Sequence, residues 1–170
     1  MINPDPTDMI EVVKYFISFL KPDVYLELGI YKGETISYAR KFANRCIGVD
    51  IILPDVLDGD EFYQMTTDEF FKTVEIPQID IAFIDADHSY KQVLKDFDNV
   101  FQYLSPQGII FLHDTFPKSQ EYTSKGFCGD AYKITEILNK RDDCQIVTLP
   151  VHPGLSIVRK QGGGKPWEVG

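Results

Sequence analysis

Apolar positions along this chain switch repeatedly between a helical and a strand period. Met9, Val12, Val13, Phe16, Ile17 and Leu20 recur at helical spacing, and Asp8 with Glu11 ahead of them resembles a capping box. Lys21-Pro22-Asp23 predicts the stop of that helix. Val24 to Leu28 is an apolar run interrupted only by Glu27, the pattern of a buried central strand. Gly29 to Gly33 predicts a turn, and Thr35 to Ala43 a helix with Ile36, Ala39 and Ala43 on one side. Cys46 to Val49 reads as a second buried strand ending at Asp50.

A loop rich in Asp, Pro and Leu follows from Ile51 to Gly59, then a weaker strand from Phe62 to Met65. Thr66 to Glu69 forms a capping box that opens a short helix through Phe70 and Phe71. Ile79 to Ile84 predicts a strand ending at Asp85. Ser89 to Gln92 is another capping box, ahead of a helical stripe of Tyr90, Val93, Leu94, Phe97, Val100, Phe101 and Leu104. Pro106-Gln-Gly108 predicts a turn into a strand from Ile109 to Leu112, which ends at His113-Asp114. A polar and aromatic loop runs from Thr115 to Gly129, and a helix from Asp130 to Asn139. Cys144 to Leu149 and Leu155 to Arg159 predict a closing antiparallel hairpin. Strand and helix alternating in this way imply an α/β fold with a mostly parallel sheet covered by helices on both faces.

Length and charge narrow what such a fold can do. With 170 residues there is room for one domain, expected over residues 1–160, with residues 161–170 as a tail expected to dock through Trp167. The 26 acidic residues against 17 basic ones give a net charge of −9, which argues against nucleic acid as a partner. No apolar run is long enough for a bilayer span and no signal-peptide pattern opens the chain, so no membrane partner and a cytoplasmic location are expected. Three cysteines, Cys46, Cys128 and Cys144, are an odd number without a close pair and read as reduced thiols.

The candidate chemistry gathers at strand ends. Glu27, Asp50, Asp85 and Asp114 each fall at the end of a predicted strand. In a parallel sheet such ends share one edge, where ligands bind at the switch in strand order. Helix capping accounts for single acids there; four together suggest a ligand rich in hydroxyl and amino groups. Glu27-Leu-Gly29-Ile-Tyr-Lys-Gly33 is not the Gly-x-Gly-x-x-Gly of nicotinamide folds. It is a glycine loop built around a carboxylate, followed by Asp50 at a position suited to ribose hydroxyls.

The stretches Tyr25-Leu-Glu-Leu-Gly-Ile-Tyr-Lys-Gly33, Ile47-Gly-Val-Asp50, Met65-Thr-Thr-Asp-Glu-Phe-Phe71, Ile79-Asp-Ile-Ala-Phe-Ile-Asp-Ala-Asp-His-Ser-Tyr90, Leu104-Ser-Pro-Gln-Gly-Ile-Ile-Phe-Leu-His-Asp114 and Gly129-Asp-Ala-Tyr-Lys133 occur in that order. On them the chain resembles the class I S-adenosylmethionine-dependent methyltransferases, in particular a small branch associated with sugar and polysaccharide modification. The resemblance implies a Rossmann-like seven-stranded sheet of order 3-2-1-4-5-7-6 with the seventh strand antiparallel. It implies S-adenosylmethionine as cofactor. Glu27, Gly29 and Gly33 would border its methionine part and Asp50 would hold its ribose. Thr67 and Asp68 would lie beside the adenine, and Asp85 near the amino group and reacting methyl. The chain departs from the family at Ile30, Tyr31 and Lys32, where a small residue is common, and at Ala86, where glycine is frequent.

Methyl transfer to a hydroxyl needs a proton acceptor or a metal. His113 and His88 are the candidate bases, with His113 slightly favoured and His152 set apart in the hairpin. Asp85 stands beside both as a third catalytic candidate. Asp85, Asp87, His113 and Asp114 are weighed as ligands for Mg2+, with Asp85, His113 and Asp114 the favoured set. Phe116, Tyr122 and Phe127 lie where a substrate lid would sit, and Lys118 and Lys125 read as solvated. The expected activity is O-methylation of a small hydroxyl compound such as a sugar, in a chain that can form a homo-oligomer. The alternatives are an inactive S-adenosylmethionine-binding protein and an NAD(P)-dependent oxidoreductase.

Overall fold

The computed structural model describes residues 7–52 and 61–162. Most of the Ile51–Gly59 loop, the tail with Trp167 and the side chain of Asp8 lie outside the described residues. Helix α1 spans Thr7–Leu20 and leads into strand β1 (Val24–Leu28), helix α2 (Glu34–Ala39) and strand β2 (Arg45–Asp50). Strand β3 (Glu61–Gln64), helix α3 (Thr67–Thr73), strand β4 (Ile79–Ile84), helix α4 (Tyr90–Tyr103) and strand β5 (Leu104–His113) follow. Helix α5 (Ile134–Leu138) precedes the closing strands β6 (Cys144–Leu149) and β7 (Leu155–Lys160).

The seven strands form one sheet in the order β3-β2-β1-β4-β5-β7-β6. The first five strands pair in parallel, and β7 runs antiparallel to both β5 and β6. The fold is the expected one, because apolar runs such as Ile79 to Ile84 suit strands buried on both faces. Successive residues of β1, β2 and β4 alternate between two apolar clusters. Leu26, Leu28, Ile47, Val49, Ala82 and Ile84 pack with Phe70 of α3, Val93, Phe97 and Val100 of α4 and Ile134 of α5. Tyr25, Cys46, Ile81 and Phe83 pack with Met9, Val13 and Ile17 of α1 and Ile36 of α2. All three cysteines are buried free thiols.

Several local expectations fail for visible reasons. Ser89 precedes α4, but its side chain makes no capping bond, and Gln92 turns instead toward α3. The backbone N–H of Ser89 is held by Asp87 at 2.7 Å and that of Tyr90 by Asp130 at 2.7 Å, which replaces the box. Pro106-Gln-Gly108 does not break β5: the strand runs through from Leu104, with a register irregularity against β4 that absorbs the segment. Helix α2 stops at Ala39, short of Ala43. The helix expected over Asp130–Asn139 divides into a 3-10 turn at Ala131–Lys133 and the short α5. At Thr66 the N-cap bond of the expected box forms, with the hydroxyl accepting from the Glu69 N–H at 3.2 Å.

Candidate functional site

The parallel strand order reverses between β1 and β4, and their carboxyl ends meet there. The Gly29 N–H donates to the Val49 carbonyl at 2.9 Å, and the Asp85 N–H donates to the Leu28 carbonyl at 2.8 Å. Gly29 has φ +86°, and a Cβ there would sit 2.3 Å from the Asp85 carbonyl oxygen. Only a glycine lets the loop press so closely on the end of β4. Asp50 anchors the same loop. Its carboxylate accepts from the N–H groups of Ile30 at 2.7 Å, Tyr31 at 3.1 Å and Ile52 at 3.1 Å. A carboxylate offers roughly four acceptor positions, so room remains for a ligand hydroxyl.

Glu27 behaves differently from the other three acids. Strand alternation turns it to the side of Tyr25, whose hydroxyl donates to it at 2.6 Å, and only 2% of it is exposed. Burial pushes its carboxyl up to about 8; the Tyr25 bond pulls the other way, and Asp85 and Asp50 add to the rise. Glu27 therefore lies under the site without lining its cavity.

Asp85, His88, His113 and Asp114 do come together. His113 Nδ1 lies 3.1 Å from Asp85 Oδ1 and 3.5 Å from Asp114 Oδ1. His88 Nε2 lies 3.6 Å from Asp85 Oδ1, and its Nδ1 lies 3.2 Å from Asp114 Oδ2 and bonds the Phe127 carbonyl. Burial alone would raise Asp85, but the two imidazoles outweigh it and hold the carboxyl at about 2. The bond to Asp85 lifts His88 to about 9 against the opposing effect of burial, with the Phe127 carbonyl and Asp114 adding to the rise. His113 also titrates above its ordinary value: burial opposes this, and Asp85 and Asp114 overcome it. Its Nε2 is buried without a partner beside the Phe83 ring. Asp114 has φ +59°, a left-handed conformation that costs a residue with a Cβ roughly 1–3 kcal/mol and often marks a functional site.

Two adjoining cavities open on this edge, beside a third of about 680 Å3 lined by Asp87, His88, Thr123 and Lys125 among others. The larger, of about 980 Å3, is lined by Gly29, Asp50, Asp85, the His88–His113–Asp114 group and an outer wall that includes Tyr122 and Phe127. The smaller, of about 320 Å3, is lined by Val49, Met65, Thr67, Asp68 and Gln92 among others. They share Asp50, Ile51 and Ala86. Gly33 lines neither; it starts α2 with φ +76°. Phe116 is absent from both linings and exposed, and its backbone N–H donates to the Pro153 carbonyl at 2.8 Å.

His152, Gln92 and Cys128 are the residues that sequence reasoning missed. The His152 ring packs on Tyr122 at 4.4 Å between centroids, and both line the larger cavity. Lys118 sits over the opposite part of this aromatic group, 4.5 Å from the Tyr122 ring centre. Cys128 borders the same cavity, and burial, with Asp114 adding, pushes its thiol up to about 12, which makes it a poor nucleophile. Gln92 was read only as part of the Ser89 capping box, and no short motif announces His152 or Cys128. The cue was the loop from Thr115 to Gly129 and the turn between β6 and β7, two segments long enough to fold over the sheet edge.

Ligand atoms of Asp85, His113 and Asp114 all lie within 4.8 Å of one another, close enough to meet at one cation. The donor set is two carboxylates and an imidazole. Mg2+ prefers oxygen and water throughout, so this set fits Mg2+ poorly and suits a metal that accepts imidazole better. The imidazole already pairs with both acids.

A family model described as a methyltransferase domain matches residues 26–115, just over half of the chain. No curated protein matches in sequence. Among solved structures, the methyltransferase PaMTH1 of Podospora anserina, bound to S-adenosylhomocysteine, superposes with a TM-score of 0.68 at 18% identity, covering 92% of this chain and 77% of its own. The O-methyltransferase of Bacillus cereus, also in complex with S-adenosylhomocysteine, gives 0.70 at 14% identity over 94% and 83%. TomG, an O-methyltransferase of Streptomyces achromogenes crystallised with S-adenosylmethionine, gives 0.70 at 12% identity over 91% and 80%.

Proposed function

The chain belongs to the methyltransferase domain family, and on that premise we propose that it transfers a methyl group from S-adenosylmethionine to a hydroxyl of a small acceptor. For the acceptor we propose a sugar or a comparable polyhydroxyl compound, a choice that rests on the sequence resemblance. The observation that carries the reading is the placement of the Asp85–His88–His113–Asp114 cluster. It lies at the inner end of the larger cavity, beside the glycine loop.

The residues present fit this cofactor. It is a long molecule with a cationic end and a purine end, and two cavities sharing Asp50 and Ala86 match that length. The larger one carries ionised Asp85, whose charge suits a sulfonium and an ammonium group. In this arrangement Gly29 and Gly33 shape the loop around the methionine part, and Glu27 supports it from below. Asp50 meets the ribose, and Thr67 and Asp68 flank the adenine.

When bound, S-adenosylmethionine supplies an activated methyl group on a positively charged sulfur. The protein then has to align the acceptor and remove its proton. We propose His88, rather than His113, for the proton. His113 turns Nδ1 to two carboxylates and buries Nε2 out of reach. His88 lines the cavity, and its Nδ1 donates to the Phe127 carbonyl, which leaves Nε2 as the basic nitrogen. A cation beside Asp85 disfavours the imidazolium and lowers the His88 pKa. Nε2 is then free to take the hydroxyl proton as oxygen gains the methyl. His113 holds Asp85 and Asp114 in place.

Steady-state kinetics test this assignment. His88→Gln is expected to lower kcat by about 10²- to 10⁴-fold while S-adenosylhomocysteine affinity stays within about threefold. An unchanged kcat would remove His88 from the mechanism.

A further inference from the structure

Helix α4 carries a buried acid that the transfer step does not use. Asp96 is fully buried, and its Oδ2 meets no donor. Its Oδ1 accepts from Gln92 Nε2 at 3.0 Å. The same nitrogen reaches Thr67 Oγ1 at 3.1 Å and Asp68 Oδ1 at 3.1 Å. Asp68 is fixed in turn by Lys95, whose Nζ lies 2.5 Å from its second oxygen. Gln92, Thr67 and Asp68 line the smaller cavity, while Asp96 stands behind them.

These contacts determine which way round the Gln92 amide sits. Reversing it would turn the carbonyl oxygen toward the carboxylates of Asp96 and Asp68, which are acceptors only when ionised. Burial pushes the Asp96 carboxyl up to about 6, with the Thr67 and Gln92 bonds opposing, while Lys95 and Gln92 hold Asp68 below its ordinary value and keep it an acceptor beside the amide. The two N–H groups of the amide are spent among three oxygens, one bond being shared, and the carbonyl oxygen is what remains for a ligand. An acceptor held at that place suits a purine bearing an exocyclic amine. It repels a purine with a carbonyl there, and the amide cannot turn over to accommodate it.

We propose that Gln92 is a specificity residue that selects an amino-purine over an oxo-purine cofactor, with Asp96 the positioning residue that locks its orientation. The inference rests on the methyltransferase reading above.

Calorimetric titration of the full chain with S-adenosylhomocysteine and its deaminated analogue, S-inosylhomocysteine, tests it. The wild type is expected to prefer the amino compound by about tenfold or more, because a site built to pair a polar group rejects a mismatch strongly. In Gln92→Ala and in the isosteric Asp96→Asn that preference falls below about threefold. Gln92→Ala takes a donor from buried Asp96 and is expected to lower the unfolding midpoint, so the titrations are run below that midpoint, where the ratio of the two affinities in one folded variant separates selectivity from folding. Full preference retained in Gln92→Ala would overturn the inference, as would a wild type that binds both compounds equally. A folded wild type that binds neither compound would instead overturn the reading beneath it.

Discussion

Glu27 shows what a strand interior does to an acid. Its folded carboxyl titrates at about 8 against an ordinary 4.5, chiefly through burial. Between those values the folded protein keeps a proton that the unfolded chain has released. Stability is therefore expected to fall as pH rises through that window, by several kcal/mol in all. Denaturant unfolding at several pH values measures the slope, and Glu27→Gln should flatten it. The presence of an acid in β1 was readable from the sequence; its side was legible only through strand alternation with Tyr25. His113 and His88 were both visible as candidates. Their separation into a buried partner of two carboxylates and a cavity-facing imidazole depends on side-chain direction, which residue type does not encode. His152 was discounted because its segment looked like a plain hairpin, yet the turn folds back onto Tyr122.

At the scale of elements, the glycine loop and the end of β4 act as one piece. Gly29→Ala would bring a Cβ to 2.3 Å from the Asp85 carbonyl at a φ of +86°. The expected cost is about 1–3 kcal/mol, read from a lowered denaturation midpoint, with weakened S-adenosylhomocysteine binding because Asp85 shifts. The elements themselves were largely legible. β4 and β6 carry unbroken apolar or alternating runs, and their bounds match the sequence expectation. The misses occur where a tertiary partner supplied what local chemistry seemed to require. Asp130 and Asp87 cap α4 from outside, which frees Gln92 for the smaller cavity. The Pro106–Gly108 segment lies between Leu104 and Ile109, which both pair with β4, so β5 passes it as a local irregularity where isolated turn chemistry would end the strand.

For the whole molecule, alternating strand and helix with a closing hairpin made a mostly parallel sheet with an antiparallel end legible, while the strand order was legible only through the family resemblance. The site donors define what such a molecule needs from solution. With an imidazole among the three acid-edge ligands, methyl transfer is expected to persist in excess EDTA, measured by product formation over time. Loss of activity restored by a divalent ion would move proton removal from His88 to a metal at Asp85, His113 and Asp114. NAD is expected to leave the unfolding temperature unchanged while S-adenosylhomocysteine raises it, since the glycine loop lacks the nicotinamide spacing. Acceptor identity was least legible. On the proposed function it would depend on how the Thr115–Gly129 loop and the β6–β7 turn meet, and that meeting leaves no pattern along either segment.

The two sides of the larger cavity differ in how they are tied to the rest of the protein. The inner side is set by Gly29 and Asp85, which backbone bonds fasten to β1 and β2. The outer side is two loops fastened to each other, through the Phe116 N–H on the Pro153 carbonyl and the Tyr122 ring on His152. On the proposed function, cofactor recognition would belong to the foundation of the fold, and acceptor choice to an interchangeable fitting above it. Such a division lets one scaffold be adapted to new acceptors by redrawing the two loops together, with the donor half left as it stands.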